Sequence, residues 1–219
     1  MIKEESILFL TIAAAGFILC RIPHVGKVLR VFNTLFHEGG HALAAWFTSG
    51  EVLKIELFHD TSGTTITKSN SRRSQIIVSL AGYVFASFIP WVFILLLSYG
   101  YEIVLHITMF ALSITLLLLA VRNTYGIIWI LVMLGVYFLI IFKIPDYSWI
   151  LTYLYTGIML FEGLFSAITI CNLSFSKPNN AGDATNLQKY TIFPVWFWGV
   201  FFVAQAFIFF ILSLYLLIK

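Results

Sequence analysis

The sequence predicts an all-α membrane protein, a polytopic helical bundle of about six or seven spans with one short β-hairpin. Composition carries the first part of this prediction, because 60% of the 219 residues are apolar and only 11% are charged. The mean hydropathy is +0.96, and the apolar residues lie in runs long enough to cross a bilayer, which takes about 20 residues of helix. No stretch has the composition of a soluble domain, so residues 1–219 are expected to form a single integral membrane domain.

Seven apolar runs are candidate spans. The first is short and opens at Glu5, and only the pair Arg122-Asn123 separates the fifth from the fourth, so the count is six or seven. The opening Met1-Ile2-Lys3-Glu4-Glu5 is not the basic n-region of a secretory signal peptide, so the first run is expected to be retained. The predicted spans are 5–21, 29–48, 76–99, 103–121, 124–142, 148–171 and 194–217.

A short hairpin is predicted over residues 52–67, between the second and third spans. Residues 53–57 alternate between apolar and polar side chains, and residues 64–67 have high β-propensity. Between them, residues 60–63 have the sequence Asp-Thr-Ser-Gly, which is typical of a turn. The acidic side chains of this segment are expected to face water.

The distribution of Lys and Arg predicts the orientation. With seven spans, eight of these residues fall on the N-terminal side and five on the other, which favours a cytoplasmic N-terminus. Loops 49–75 and 172–193 are separated by four spans and therefore share a side.

The most informative motif is His37-Glu38-Gly39-Gly40-His41, an HExxH sequence inside the second span. Residues four apart lie on one face of an α-helix, so both imidazoles can reach one zinc ion. The intervening Glu38 is placed to take a proton from a water on that metal. Ionisable groups are costly at membrane depth, which favours a functional site and peptide-bond hydrolysis in or beside the bilayer.

A catalytic zinc site usually has three protein ligands, so a third is needed on the side of the 49–75 loop. Glu51, Glu56 and Asp60 belong to the predicted hairpin, which leaves Asp183 as the acidic residue of interest. Asp183 follows a Pro-Asn-Asn-Ala-Gly turn and precedes Ala184-Thr185-Asn186-Leu187. On the residues alone it is either the N-cap of a short helix at the membrane edge or the third ligand.

Two further features have a structural interpretation. Glu162 lies in mid-span, where a carboxylate needs a partner or a function, and Arg122 is a candidate partner. Ala81-Gly82 in the third span is interpreted as ordinary close packing of helices.

Several segments resemble the site-2 protease family of intramembrane zinc metalloproteases. His37-Glu38-Gly39-Gly40-His41-Ala42 resembles the HExGHA core of that family, and Ser79-Leu80-Ala81-Gly82-Tyr83 resembles its Ala-Gly-Pro segment, with Tyr83 in the place of Pro. Pro178, five residues before Asp183, fits the spacing of the motif Asn-x-x-Pro-x-x-x-x-Asp-Gly, although Phe175 and Ala184 replace its Asn and Gly.

The similarity is closer to the family B-like site-2 metallopeptidases, a small bacterial branch. Its members similarly carry an Arg-Asn pair between spans and a closing run of Asp-Ala, Leu, Thr, Pro and Trp. The matching residues here are Arg122-Asn123, Asp183-Ala184, Leu187, Thr191, Pro194 and Trp196.

The resemblance implies that Asp183 is the third zinc ligand beside His37 and His41, with Glu38 as the catalytic base. It implies a multi-pass protein of a bacterial cell membrane that cleaves membrane-embedded proteins or peptides. No basic block for nucleic acid is present, so the expected partners are a protein or peptide substrate and the lipid bilayer. Two alternatives stay open, a membrane metal-binding or transport protein and a protease-like scaffold that does not cleave.

Overall fold

The computed structural model describes residues 4–69 and 71–219, which form eight α-helices and one two-stranded sheet. Residues 1–3, part of the segment on which the expectation about a signal peptide rests, lie outside this described part. Short 3-10 turns at Pro145–Tyr147 and Pro178–Asn180 precede α6 and α7. The elements are α1 (Glu4–Leu19), α2 (Val25–Phe47), β1 (Glu51–Leu57), β2 (Gly63–Lys68), α3 (Arg72–Ser98), α4 (Glu102–Leu119), α5 (Thr124–Lys143), α6 (Ser148–Ser176), α7 (Gly182–Tyr190) and α8 (Val195–Ile218).

Each of the seven predicted spans is a helix, and the all-α membrane bundle with a hairpin is confirmed. Among the described residues, five helices are long and apolar enough to cross a bilayer, namely α3, α4, α5, α6 with its preceding turn, and α8. The described part of α1 has 16 residues. Helix α2 has 23 residues but carries the polar motif, which lowers its hydropathy.

Helix α2 is the central element of the bundle, because it packs against α3, α6 and both strands. Its Val31, Leu35 and Phe36 side chains are at most 1% exposed. In contrast, the outward faces of α4 and α5 carry large exposed apolar side chains such as Leu118 and Phe142. An exposed apolar surface of this kind fits contact with lipid.

The hairpin lies beside the C-terminal half of α2 and is fixed from one side. On β1, the N–H of Ile55 donates to the carbonyl of Ala120 (2.8 Å), and the N–H of Arg122 donates to the carbonyl of Ile55 (3.0 Å). The Asn123 amide also bonds both main-chain groups of Leu57. The link between α4 and α5 therefore occupies the outer edge of β1, while in the described part of the chain β2 pairs with β1 alone.

The acidic residues of the hairpin are engaged locally, as expected. The Asp60 carboxylate accepts hydrogen bonds from the N–H (3.0 Å) and hydroxyl (2.6 Å) of Ser62. These bonds hold the pKa of the Asp60 carboxyl below its usual value. Glu56 pairs with Lys54 at 2.9 Å on the exposed side of β1.

The suggested pairing of Glu162 with Arg122 is wrong. The Glu162 carboxylate, 2% exposed, pairs with Arg21 at 2.6 Å and with Arg30 at 3.0 Å. Arg122 instead donates to carbonyls at the end of α4, including those of Leu118 and Leu119. Glu162 thus connects α6 to α2 and to the link before α2. The two arginines are partly exposed, and their charges offset the cost of burying the carboxylate.

Candidate metal centre

His37 and His41 occupy successive turns of α2 and turn their rings toward the same point. Their Nε2 atoms are 3.1 Å apart. The Asp183 Oδ2 atom lies 3.3 Å from each of them. Among the described residues, these three form the one group of at least three His, Cys, Asp or Glu side chains close enough to hold a metal ion.

Asp183 reaches this point because α7 is anchored at its beginning. The Thr185 hydroxyl donates to the carbonyl of Pro178 (2.6 Å) and accepts from the N–H of Ala181 (3.1 Å). Gly182 adopts φ +45°, a left-handed conformation that glycine tolerates best. The interpretation of Asp183 as an N-cap is wrong, since Ala181 holds that position and Asp183 lies in the first turn of the helix.

The donor set fits zinc by its spacing. With Zn–N and Zn–O distances of about 2.0–2.1 Å, two ligand atoms of a tetrahedral site are about 3.3–3.4 Å apart. The observed separations of 3.1, 3.3 and 3.3 Å are close to that edge length. Charge-assisted hydrogen bonds would be shorter, at about 2.7–2.9 Å. Two imidazoles and one carboxylate also match the protein ligands of hydrolytic zinc sites.

The hydrogen bonding of His41 and the charge of Asp183 suit metal ligation. The Nδ1–H of His41 is positioned to donate to the main-chain carbonyl of Val78 at 2.6 Å, which leaves the Nε2 lone pair for a metal. Burial would raise the pKa of the Asp183 carboxyl, but the His41 and His37 imidazoles hold it well below its usual range. Asp183 is therefore ionised at neutral pH, as a ligand must be.

Glu38 lies beside this group, covered by β2. Its side chain is buried, and its Oε2 accepts a hydrogen bond from the Thr65 hydroxyl at 2.6 Å. Gly63 lies next to the carboxylate, where an added Cβ would be 2.7 Å from Oε1. Thr65 thus fixes the orientation of Glu38, and the lack of a side chain at Gly63 leaves room for it.

Gly82 of α3 is closely packed, as the sequence predicts, but its contacts are with the imidazoles of the candidate site. A Cβ at this position would lie 2.5 Å from His41 Nε2 and 2.6 Å from His37 Cε1. Gly40 of α2 approaches the same helix, since its added Cβ would be 2.7 Å from the carbonyl oxygen of Ala81. The glycines let α3 lie directly against the imidazoles.

We expect Gly82→Ala to lose most of its bound zinc, because the new methyl group would displace the imidazole that carries a ligand atom. The measurement is the zinc content of protein purified in detergent. Gly135→Ala is the matched control, since an added Cβ there meets no atom within 4 Å and replaces a poor helix former in α5. Equal zinc in the two variants would contradict the assigned role of Gly82.

The group opens into a polar cleft of about 510 Å³. Its lining comes from α2, β2, α3 and α7, and it includes the three candidate ligands and Glu38. Other lining residues are Gly63, Thr64, Thr65, Thr67, Ser69, Gln75, Val78, Ser79, Tyr83, Gly182, Asn186 and Tyr190. The cleft can therefore admit water and an extended chain to the group.

The structure brings together the four residues that the sequence singled out, His37, Glu38, His41 and Asp183. Sequence reasoning did not identify Thr65, which is 27 residues from Glu38 and belongs to no short motif. It singled out Gly82 within a small-residue segment but not the contact of Gly82 with the imidazoles, which depends on tertiary packing.

Comparison with protein families gives one match, to the family described as Peptidase M50B-like, over residues 9–213. Comparison with curated proteins and with solved structures gives no match. The family match covers the helices α2, α3 and α7 that supply the candidate ligands and Gly82.

Proposed function

Because the chain belongs to the Peptidase M50B-like family, which groups it with the site-2 proteases, we propose that it is an intramembrane zinc endopeptidase whose catalytic base is Glu38. Membership makes it a membrane metalloprotease at the level of the family, and its five apolar helices make it a multi-pass membrane protein. The identity of the metal, the catalytic residues and the class of substrate are what we propose beyond family membership.

One observation carries the proposal. The ligand atoms of His37, His41 and Asp183 are separated by distances close to those of a tetrahedral zinc site, and Glu38 lines the adjoining cleft. A metal transport site has no need of a fixed general base beside its ligands. In the described chain, moreover, this is the one such ligand group, whereas a transport pathway needs successive sites. Hydrolysis is therefore favoured over transport.

The reaction follows from the positions of these side chains. Bound zinc would lower the pKa of a coordinated water toward about 7 and polarise the scissile carbonyl. His37, His41 and Asp183 would hold the metal. The Oε1 atom of Glu38 would accept the proton of the attacking water, because Oε2 already accepts a hydrogen bond from the Thr65 hydroxyl. Glu38 would then pass this proton to the leaving amine.

The free edge of β2 offers a place for the substrate main chain. The N–H and C=O of Ile55 both point away from β2, toward the link between α4 and α5. In antiparallel pairing, the N–H and C=O of its partner Thr65 then point away from β1, to the outer edge of β2, which lines the cleft. An unwound substrate segment would add there as a further strand, with main-chain bonds that require no particular sequence. We propose membrane-embedded proteins or peptides as substrates on this basis.

The site is proposed to face the cytoplasm of a bacterial cell. The hairpin and α7 lie at the same end of the bundle, where Arg72 Nε donates to the carbonyl of Tyr190 at 2.6 Å. This arrangement supports a shared side for the 49–75 and 172–193 loops. The excess of Lys and Arg then favours the cytoplasmic side.

The proposal predicts zinc-dependent cleavage by the purified protein. Wild-type protein in detergent should contain one zinc ion and cut a single-span membrane protein. A chelator should abolish cleavage, and added zinc should restore it. If zinc-loaded protein cuts none of a panel of single-span substrates, the scaffold interpretation becomes the better one.

A further inference from the structure

Tyr83 of α3 lies beside the metal centre without an assigned role. Its ring packs edge-on against the imidazole of His37, with centroids 4.5 Å apart and an interplanar angle of 77°. The Phe202 ring contacts it at 4.6 Å. These two contacts fix the ring in the α3 wall of the cleft, directly after Gly82.

The Tyr83 hydroxyl is available as a donor. Within residues 4–69 and 71–219 the structure gives it no hydrogen-bond partner, although a phenol at a half-buried position normally has one. Tyr83 lines the same polar cleft as the Glu38 and Asp183 side chains. A phenol ionises only near pKa 10, so at neutral pH it carries its proton.

Peptide hydrolysis at this site would create a need for such a donor. Attack by water places a negative charge on the carbonyl oxygen of the substrate, and hydrogen bonds aimed at that oxygen speed the reaction. Glu38 is held by Thr65 of β2, whereas Tyr83 belongs to α3 and packs on the His37 ring, so the two side chains reach the cleft from different elements. One can therefore serve the attacking water while the other serves the carbonyl oxygen.

We propose that Tyr83 is a catalytic hydrogen-bond donor, whose phenolic O–H stabilises the oxyanion that forms on the scissile carbonyl. This role rests on the proposed peptidase function. Attack forms the bond between the water oxygen and the carbonyl carbon, moves the carbonyl π pair onto oxygen and sends the water proton to Glu38. Tyr83 donates a hydrogen bond and keeps its own proton. The pair then re-forms the C=O bond as the C–N bond breaks, and the proton held by Glu38 leaves with the amine.

The test compares Tyr83→Phe with wild type on one single-span substrate. Phenylalanine keeps the ring contacts with His37 and Phe202 and removes only the hydroxyl. We expect kcat to fall about 10²-fold, as for the loss of one oxyanion donor, with KM and zinc content unchanged. Tyr153→Phe is the matched control, because that phenol packs against Phe9 and Trp149 outside the cleft.

A second measurement separates transition-state stabilisation from support of the fold. A phosphinic peptide carries a tetrahedral anionic centre and therefore resembles the transition state of hydrolysis. Its inhibition constant for Tyr83→Phe should exceed that for wild type by the same factor by which kcat/KM falls. Full activity of Tyr83→Phe, or a fall in activity that parallels a loss of zinc, would overturn the role of Tyr83 and leave the peptidase function standing. If the wild type itself cuts nothing, the peptidase function fails and the role of Tyr83 fails with it.

Discussion

Glu38→Gln is expected to retain zinc and to cleave substrate about 10²–10⁴-fold more slowly than wild type, the usual size of a general acid–base contribution. The amide is isosteric with the carboxylate, and its oxygen can still accept the hydrogen bond from the Thr65 hydroxyl. It cannot accept a proton from the attacking water. Zinc content and cleavage of a single-span substrate are to be measured on the same preparations.

Glu56→Gln is the control for this variant, because Glu56 pairs with Lys54 on β1 and does not line the cleft. It makes the same change of charge in the same part of the molecule, and we expect it to keep the wild-type rate. A Glu38→Gln protein that cuts as fast as wild type would refute the proposed role of Glu38.

Asp183→Ala is expected to lose its zinc during purification and, with it, all cleavage. The change removes one of three protein ligands and leaves two imidazoles for the metal. Because Asp183 is not the N-cap of α7, and Thr185 holds the start of that helix, the substitution does not remove a helix-stabilising bond. Loss of metal would therefore report on ligation.

Asp146→Ala serves as the control for Asp183→Ala, since Asp146 is an exposed aspartate in the turn before α6. Its zinc content should equal that of wild type, as measured by elemental analysis of matched preparations. Full zinc retention in Asp183→Ala would contradict the ligand assignment.

The features that were predicted correctly from the sequence are those that depend on short-range patterns. The apolar runs gave seven of the eight helices, and alternation with a turn sequence gave the hairpin. The i,i+4 spacing of His37 and His41 places both rings on one face of α2 in any helical fold. A pattern that is satisfied within one element needs no knowledge of how the elements pack.

Asp183 was only partly predictable from the sequence. Its residue type and turn context allowed both a cap and a ligand, and the family resemblance alone favoured the ligand. What brings it to the histidines is the anchoring of α7 through Thr185 and the left-handed Gly182. Local sequence shows that a helix begins there but does not show where in the bundle it lies.

The sequence predicts close packing at Gly82 and a partner for Glu162, but it does not identify what either residue contacts, for a related reason. A glycine in an apolar helix is compatible with any close contact, and only the packing of α3 on α2 shows that the contact is with the imidazoles. The partners of Glu162, Arg21 and Arg30, are 141 and 132 residues away in sequence. Helix depth alone could not choose between them and Arg122.

The central claim is that this site cuts a peptide bond within the membrane segment of a substrate. The most direct measurement is mass spectrometry of the products that zinc-loaded wild type releases from a single-span membrane protein. We expect new termini inside the apolar segment, toward the end that lies on the same side of the bilayer as the 49–75 loop, and at least about 10²-fold less of the same products from Glu38→Gln in the same time. Cuts confined to the water-exposed tails of the substrate, or equal amounts of product from both proteins, would contradict the claim.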